Sequence, residues 1–238
     1  MTPKVRIYLN QKLDLNLNLV LDKEDTHYLK TVMRLKSEDN ILLFNSLDGE
    51  FLCSILKFVK HQTHIKIMSK TKNNIQKNKI SLIFSIIKTS KLDFLIQKCT
   101  EIGVKEFIPI ISDKSVIRDI NSKRIEKIIK ESCEQSNQLF LPKLSSIEKF
   151  EKKIKSLEDN AIIFFADINS SDKKIDNKIL RKDQITYLLI GPEGDWSLKE
   201  REILKNMKNC VPFSLSENIL RSETAAIVGL ALLKFQIN

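Results

Sequence analysis

The sequence predicts two parts: a compact, barrel-like β module over residues 1–72 and an α/β domain built on a mainly parallel sheet over residues 73–238. Three observations lead there. Asp48-Gly49 separates two apolar, strand-like runs near the start, which is a hairpin signal. From Ile80 onward, continuous apolar runs alternate with segments of helical period, as in sheets covered on both faces by helices. Between the two lies Lys70–Lys79 (KTKNNIQKNK), polar except for Ile75, which is the composition of a linker. The 238 residues suit a small domain joined to a medium one, and a 42% hydrophobic content is enough for packed cores.

Taken in order, Asp22–Leu35 (DKEDTHYLKTVMRL) reads as a short helix running into a loop. Asn40–Ser46 and Glu50–Val59 are the hairpin strands, and His64–Lys70 alternates as a third. Past the linker, Ile80–Ile87 is a strand buried on both faces. Leu92, Leu95, Ile96, Cys99 and Ile102 then recur at helical spacing, with Gly103 placed to end the helix. Phe107–Ile111 is a strand. Ile125, Ile128, Ile129 and Cys133 mark the next helix, which Ser122 is placed to cap. Ala161–Asp167 and Ile185–Gly191 are further buried strands, Val211–Leu215 is a short last one, and Ser222–Phe235 is a helix apolar on most sides.

Bulk properties narrow the function classes. No apolar run approaches the roughly 20 residues that span a bilayer, and the start, MTPKVRIYLNQKLDLN, lacks the apolar stretch of a signal peptide. A cytoplasmic protein is expected. Cys53, Cys99, Cys133 and Cys210 form no CxxC pair and have no nearby histidine, so they read as structural thiols in a reducing compartment rather than as metal ligands or disulfides. His27, His61 and His64 give a metal-dependent hydrolase no support, and no metal is expected. The net charge of +10 admits an anionic partner, although a chain rich in Lys, Ile and Asn acquires such a charge from genome composition as well.

Two loops follow strand ends, where open parallel sheets bind ligands. The first is Ile190–Glu200 (IGPEGDWSLKE). Gly191 and Gly194 allow positive φ and close approach of backbone to a ligand, Pro192 stiffens the bend between them, and Ser197 with Glu200 forms an S-x-x-E capping box that fixes the next helix start. The same loop also reads as an ordinary strand-to-helix turn. It carries neither GxxxxGK[ST] nor GxGxxG, so phosphate-loop and dinucleotide sites are not supported. The second is Leu215–Ala226 (LSENILRSETAA), in which Ile219 and Leu220 offer an apolar wall for a flat adenine ring. Arg221 sits at a helix N-terminus, where a cation is mildly disfavoured, and a residue placed against that preference is a candidate for function; a surface arginine paired with Glu223 or Glu217 is the other reading.

At these loops the sequence resembles the RsmE family, SPOUT-superfamily enzymes that methylate N3 of a uridine in small-subunit ribosomal RNA. Its signatures look like IGPEGG-x-[ST]-x-x-E and LG-x-[RN]-ILR-x-ETA, read here as IGPEGDWSLKE and LSENILRSETA. His27–Leu35 (HYLKTVMRL), Lys88–Val104 (KTSKLDFLIQKCTEIGV) and Glu131–Leu144 (ESCEQSNQLFLPKL) resemble further elements of the family in the same order, so the similarity covers nearly the whole chain. Asp195 and Ser216 stand where the family usually has glycine, and Gln138 where it has arginine.

The resemblance implies a SPOUT-type knotted parallel sheet with helices on both faces, ending in a C-terminal trefoil knot and preceded by a small β-barrel (PUA-like) RNA-binding domain. It implies S-adenosyl-L-methionine as cofactor, held by Leu189, Ile190, Gly191, Pro192, Glu193 and Gly194 on one side and by Leu215, Ser216, Asn218, Ile219, Leu220, Arg221 and Thr224 on the other. It also implies a homodimer acting on 16S ribosomal RNA of the small ribosomal subunit. Methyl transfer from a sulfonium needs in-line positioning and a polarised nucleophile. Arg221 is therefore expected to stabilise charge on the uracil oxygens, with Glu193 or Glu223 taking the N3 proton or orienting Arg221. Residues 1–72 carry 12 Lys and Arg against 8 Asp and Glu. Arg6, His27, Lys30, Arg34 and Lys36 there, with Lys91 and Gln135, are the expected RNA contacts, each of which also reads as an ordinary surface group. Two alternatives remain open: a SPOUT enzyme acting on another RNA position, and a non-catalytic RNA-binding protein with a degenerate cofactor loop.

Overall fold

A computed structural model of the chain describes residues 5–73, 78–168, 170 and 184–237. The chain divides into two compact units, Met1–Lys77 with Cys133–Leu141, and Asn78–Ser132 with Pro142–Asn238.

In the first unit, strands β1 (Arg6–Tyr8), β2 (Asn18–Leu21), β3 (Asn40–Asn45), β4 (Gly49–Val59) and β5 (Gln62–Lys72) form one sheet in the order β1-β3-β4-β5-β2. Only the β1–β3 pairing is parallel. The β3–β4 hairpin turns at Asp48-Gly49, where the Asn45 side chain donates to Asp48 Oδ2 (2.8 Å) and accepts from the Leu47 amide (2.9 Å). Three register shifts bend β4 against β5, and bulges of this kind curl a sheet. The curled sheet encloses Ile7, Leu21, Ile41, Leu43, Cys53, Ile55, Ile65 and Ile67, all nearly inaccessible to solvent. Helix α1 (Lys23–His27), capped by the Asp22 side chain, runs straight into a π-helical turn, Tyr28–Val32, which drops Leu29 into the same core. β1 and β2 were too short to show a period in the sequence.

The second unit holds a seven-stranded sheet in which every pairing is parallel. Its order is β12-β10-β11-β6-β7-β8, with β9 also on β7. The strands are β6 (Ile80–Ser85), β7 (Glu106–Ile111), β8 (Lys143–Leu144), β9 (Glu148–Lys149), β10 (Ile162–Ala166), β11 (Thr186–Ile190) and β12 (Cys210–Phe213). Helices α2 (Thr89–Ile102), α3 (Ser122–Gln135), α4 (Phe150–Lys155), α5 (Leu198–Asn206) and α6 (Ser222–Ile237) complete the fold. On one sheet face, Ile83, Ile108, Ile110, Ile163, Phe165 and Leu189 pack with Phe150 and Ile154 of α4 and Leu204 of α5. On the other, α6 lies on β11 and β6 beside α2. There Gly229 lets it close on Leu188: a Cβ at this position would sit 3.1 Å from the Leu188 methyl groups. The fold is thus α/β with a parallel sheet covered on both faces, preceded in the sequence by a curled β module.

Helix ends follow local chemistry. Gly103 closes α2 at φ 103°, a conformation that only glycine enters freely. The cap of α3 is Asn121 rather than Ser122: its Oδ1 accepts from the Arg124 amide at 3.1 Å, so the capping side chain lies one residue earlier than expected. In the expected linker, β5 continues to Lys72 and Asn78 is buried, donating to the Val104 carbonyl (3.0 Å). Residues 74–77 of that stretch, Ile75 included, lie outside the described residues.

Candidate cofactor site

Strands β10, β11 and β12 end side by side, and the segments that leave them enclose one cleft. Asp167 and Ile168 follow β10, Gly191 to Trp196 follow β11, and Ser214 to Leu220 follow β12. Ser222 and Ala225 on the first turn of α6 close the cleft from the helix side, and the Ser222 hydroxyl donates to the Gly191 carbonyl at 2.9 Å. That bond ties the start of α6 to the end of β11.

Gly191 is needed for close approach and not for φ. A Cβ there would sit 3.0 Å from Cε2 of Trp196, whose ring packs beneath the loop. Neither Gly191 nor Gly194 uses the positive φ that glycine allows. Asp195 does, at φ 59°, in the position where the RsmE-like signature has its further glycine. Aspartate tolerates the left-handed region better than most residues. Here Asp195 Oδ1 also accepts from the Trp196 amide (2.8 Å), and Oδ2 is held by Arg201 of α5 at 2.5 Å. Arg201 reaches Asp167 as well (2.7 Å), so one guanidinium fastens the β10 and β11 ends of the cleft together. The capping box at Ser197 and Glu200 is formed, and Glu200 additionally accepts from the Asp113 amide at 2.9 Å. Lys114 donates to the Gly194 and Trp196 carbonyls at 2.8 and 3.3 Å.

One donor is left over. The Trp196 indole N–H is buried in the cleft wall without a partner among the described residues, and buried N–H groups are rarely left so. Apolar walls at Ile219 and Leu220, an orphan indole donor and a backbone approach open only to glycine suit an adenosine-containing ligand. The cleft holds about 100 Å³. Small-molecule sites hold roughly 300–1,000 Å³, so its walls must part to admit such a ligand. The β12–α6 loop is the most exposed wall, with Ile219 83% exposed.

Residues 74–234 match the family described as RNA methyltransferase domain, and residues 21–68 match the RNA methyltransferase PUA domain. The chain is 36% identical over 236 residues to Ribosomal RNA small subunit methyltransferase E of Rickettsia conorii, covering 95% of this chain and 93% of that one. It belongs to the ribosomal RNA small subunit methyltransferase E family. A relative from Buchnera aphidicola subsp. Schizaphis graminum is 30% identical over 240 residues, covering 97% and 96%. Among solved structures, the small subunit methyltransferase E of Neisseria gonorrhoeae bound to S-adenosyl methionine superposes with a TM-score of 0.87 at 25% identity, over 97% of both chains.

Of the cofactor residues that the family resemblance implies, Ile190, Gly191, Pro192, Glu193, Leu215, Ser216, Asn218, Ile219 and Leu220 line the cleft together. Leu189 does not: its side chain is in the sheet core and its backbone pairs with β10 and β6. Gly194 is turned outward under Lys114, and Thr224 is exposed on α6. Ala166, Asp167, Ile168, Asp195, Trp196, Ser214, Ser222 and Ala225 also line the cleft, and motif reading passed over all of them as ligands. The third wall, behind β10, was available to the rule that ligands sit beyond carboxyl strand ends.

The catalytic candidates separate clearly. Arg221 is exposed and precedes α6, accepting from the Ala225 amide through its carbonyl (2.8 Å), while its side chain has no ion pair among the described residues. Glu223 is buried and pairs with Lys91 of α2 at 3.3 Å, not with Arg221. Lys91, expected at the RNA, is thereby a strut between α2 and α6. Glu193 is exposed on the cleft rim.

Among the other expected RNA contacts, Arg6 needs correction. It is 5% exposed, ion-paired to Glu50 (2.7 Å), and donates to the carbonyls of Cys133, Glu134 and Gln138 at 2.9, 3.0 and 3.2 Å. Four of its five N–H donors are so used and the side chain is buried, so it is not placed to meet a phosphate. His27, Lys30, Arg34 and Lys36 are exposed on α1 and the π-helical turn or just after it, with Lys30 5.9 Å from the Phe58 ring centre. Gln135 is exposed at the end of α3.

Proposed function

We propose that this chain uses S-adenosyl-L-methionine to methylate N3 of a uridine in 16S ribosomal RNA of the small subunit. The observation that carries the proposal is the cleft at the ends of β10, β11 and β12, walled by the family's two signature loops and followed at Leu220 by the exposed Arg221. When bound, the cofactor supplies an electrophilic methyl group whose leaving thioether is neutral. The chain's own residues then have to fix the line of attack and manage the proton of uracil N3. Loss of the N3 proton puts negative charge on the flanking carbonyl oxygens, and that charge is discharged as N3 takes the methyl group. Arg221, whose side chain has no ion pair among the described residues, stabilises that charge. Glu193 on the rim is the acceptor placed in the open; Glu223, buried against Lys91, holds α6 and so the Arg221 backbone in place.

N3 is covered in a base pair, so the target nucleotide must be unpaired or flipped. In this reading residues 1–72 form the RNA-binding domain, with His27, Lys30, Arg34 and Lys36 as its contacts. Residues 73–238 form the methyltransferase domain, whose path from β11 through β12 to α6 threads the trefoil knot. The enzyme works in the cytoplasm as a homodimer. Phe94 on α2, and Leu232 and Phe235 on α6, support a dimer, being large apolar side chains 47, 44 and 88% exposed on two adjacent helices.

The test is direct. Small subunits from cells lacking the corresponding enzyme are incubated with the protein and labelled cofactor, and nucleosides from the RNA are identified by mass spectrometry. Labelled 3-methyluridine is expected. Cofactor binding without product would point to another RNA position, and no cofactor binding would leave an RNA-binding protein without catalysis.

A further inference from the structure

The second unit contains a larger cleft, of about 600 Å³, that the methyl-transfer chemistry does not use. It opens beyond the end of β7, between the segment that follows this strand and the β9–α4 corner. Arg118, Lys149, Lys152 and Lys155 line it against two acidic residues, Asp113 and Glu151. Neither acid forms an ion pair with a cation of the cleft, although Asp113 keeps its negative charge there. Asp113 Oδ2 accepts from the Ser197 hydroxyl at 2.6 Å, and Glu151 pairs with Lys199 at 2.5 Å. Lys152 is paired with Glu148 (3.0 Å). Arg118, Lys149 and Lys155 therefore face one concavity with no ion pair among the described residues.

Scattered exposed lysines usually mean nothing more than a solvated face. Four cations lining one groove against two carboxylates leave it net positive, and a groove concentrates the field and raises the local concentration of an anion. The cleft also shares a wall with the cofactor loop. Its floor residue Phe150 packs on the Trp196 ring with centroids 5.4 Å apart. Asp113 holds Ser197 and Glu200 at the start of α5, and its neighbour Lys114 holds the Gly194 and Trp196 carbonyls.

We propose that this basic cleft seats the phosphate backbone of the RNA strand flanking the target nucleotide, with the 112–118 segment linking its occupancy to the cofactor loop. The inference rests on the proposed RNA methylation. The partner is a ribose-phosphate chain and not a free nucleotide: the cations are spread along the groove, and no glycine-rich phosphate loop accompanies them.

The experiment compares R118Q/K149Q/K155Q with a control that removes the same charge from exposed positions elsewhere in the unit, K123Q/K205Q/K208Q. Binding of a small-subunit ribosomal RNA transcript is measured across a salt series, and cofactor affinity by calorimetry. Each lost phosphate contact lowers the log-log salt slope by about 0.7–0.9. The cleft variant should lose about two units of slope and at least about ten-fold in RNA affinity, with cofactor affinity unchanged and a much smaller effect in the control. Equal losses in the two variants overturn the cleft while leaving RNA methylation standing, provided the wild type still forms 3-methyluridine. A wild type that neither binds the transcript nor methylates it overturns both.

Discussion

At the scale of single residues, the cofactor loop depends on three side-chain decisions. Gly191 has no room for a Cβ above the Trp196 ring, so Gly191→Val should push the loop off its seat and abolish cofactor binding. Calorimetry checks this, and a normal dissociation constant would place the ligand elsewhere. Asp195 holds a left-handed conformation that costs an ordinary L-residue about 1–2 kcal/mol. Asp195→Gly loses the Arg201 pair but relaxes the backbone, whereas Asp195→Ala loses the pair and keeps the strain. The alanine variant should accordingly be less stable than the glycine variant by about 1 kcal/mol in denaturant unfolding. The Arg221 side chain has no ion pair among the described residues, so Arg221→Ala is expected to leave the melting temperature in place. The same change should lower turnover by about 10²–10³-fold, the usual cost of removing one group that stabilises transition-state charge. Unchanged turnover would remove it from the mechanism. Glycine patterns pointed to the right loop but to the wrong torsion, because a sequence shows where backbone freedom is permitted and not where it is used.

At the scale of elements, burial decided what charge alone could not. Arg6 reads as a surface cation because β1 is three residues long and has no visible period. In the structure it is the hub of the first unit, reaching Glu50 on β4 and three carbonyls at the end of α3 and just beyond it. No local pattern could announce a contact between residues 6 and 133, whereas the long apolar strands Ile80–Ser85 and Thr186–Ile190 announced themselves. The Arg6–Glu50 pair makes a pH prediction. Burial acts to raise the Glu50 carboxyl pKa, but the Arg6 hydrogen bond and charge, with Thr71 and Lys72, hold it below the usual carboxylate value. A carboxyl lowered in the folded state stabilises fully above its unfolded pKa of about 4.3, and that contribution disappears as pH falls through the lower folded value. The first unit should thus lose stability only below about pH 4. Glu50→Ala should reduce that dependence, leaving the share of Asp48, whose carboxyl is also held low, and destabilise the unit at neutral pH by about 3 kcal/mol, since it leaves a buried guanidinium without its counter-charge. Melting curves across the pH range decide both.

At the scale of the whole molecule, the two compact units give binding a signature that a single core would not. The cofactor cleft lies entirely within the second unit, so ligand free energy should stabilise that unit's unfolding and leave any separate transition of the first unmoved. At a hundred-fold excess over the dissociation constant the gain is about 2.7 kcal/mol. For a unit of this size that corresponds to a rise of roughly 5–10 °C in its melting temperature. The cleft's volume of about 100 Å³ adds a further requirement, because a wall must open before the ligand enters and close over it afterwards. The loop from Ser214 to Leu220 is only partly buried and joins a short strand to α6, so it should exchange its amide hydrogens readily alone and slowly with S-adenosylmethionine bound. Protection confined to that loop and to Gly191–Trp196 would identify the moving wall. Uniform protection across both units would mean that ligand binding couples them, and the cleft could then no longer be treated as the property of one unit alone.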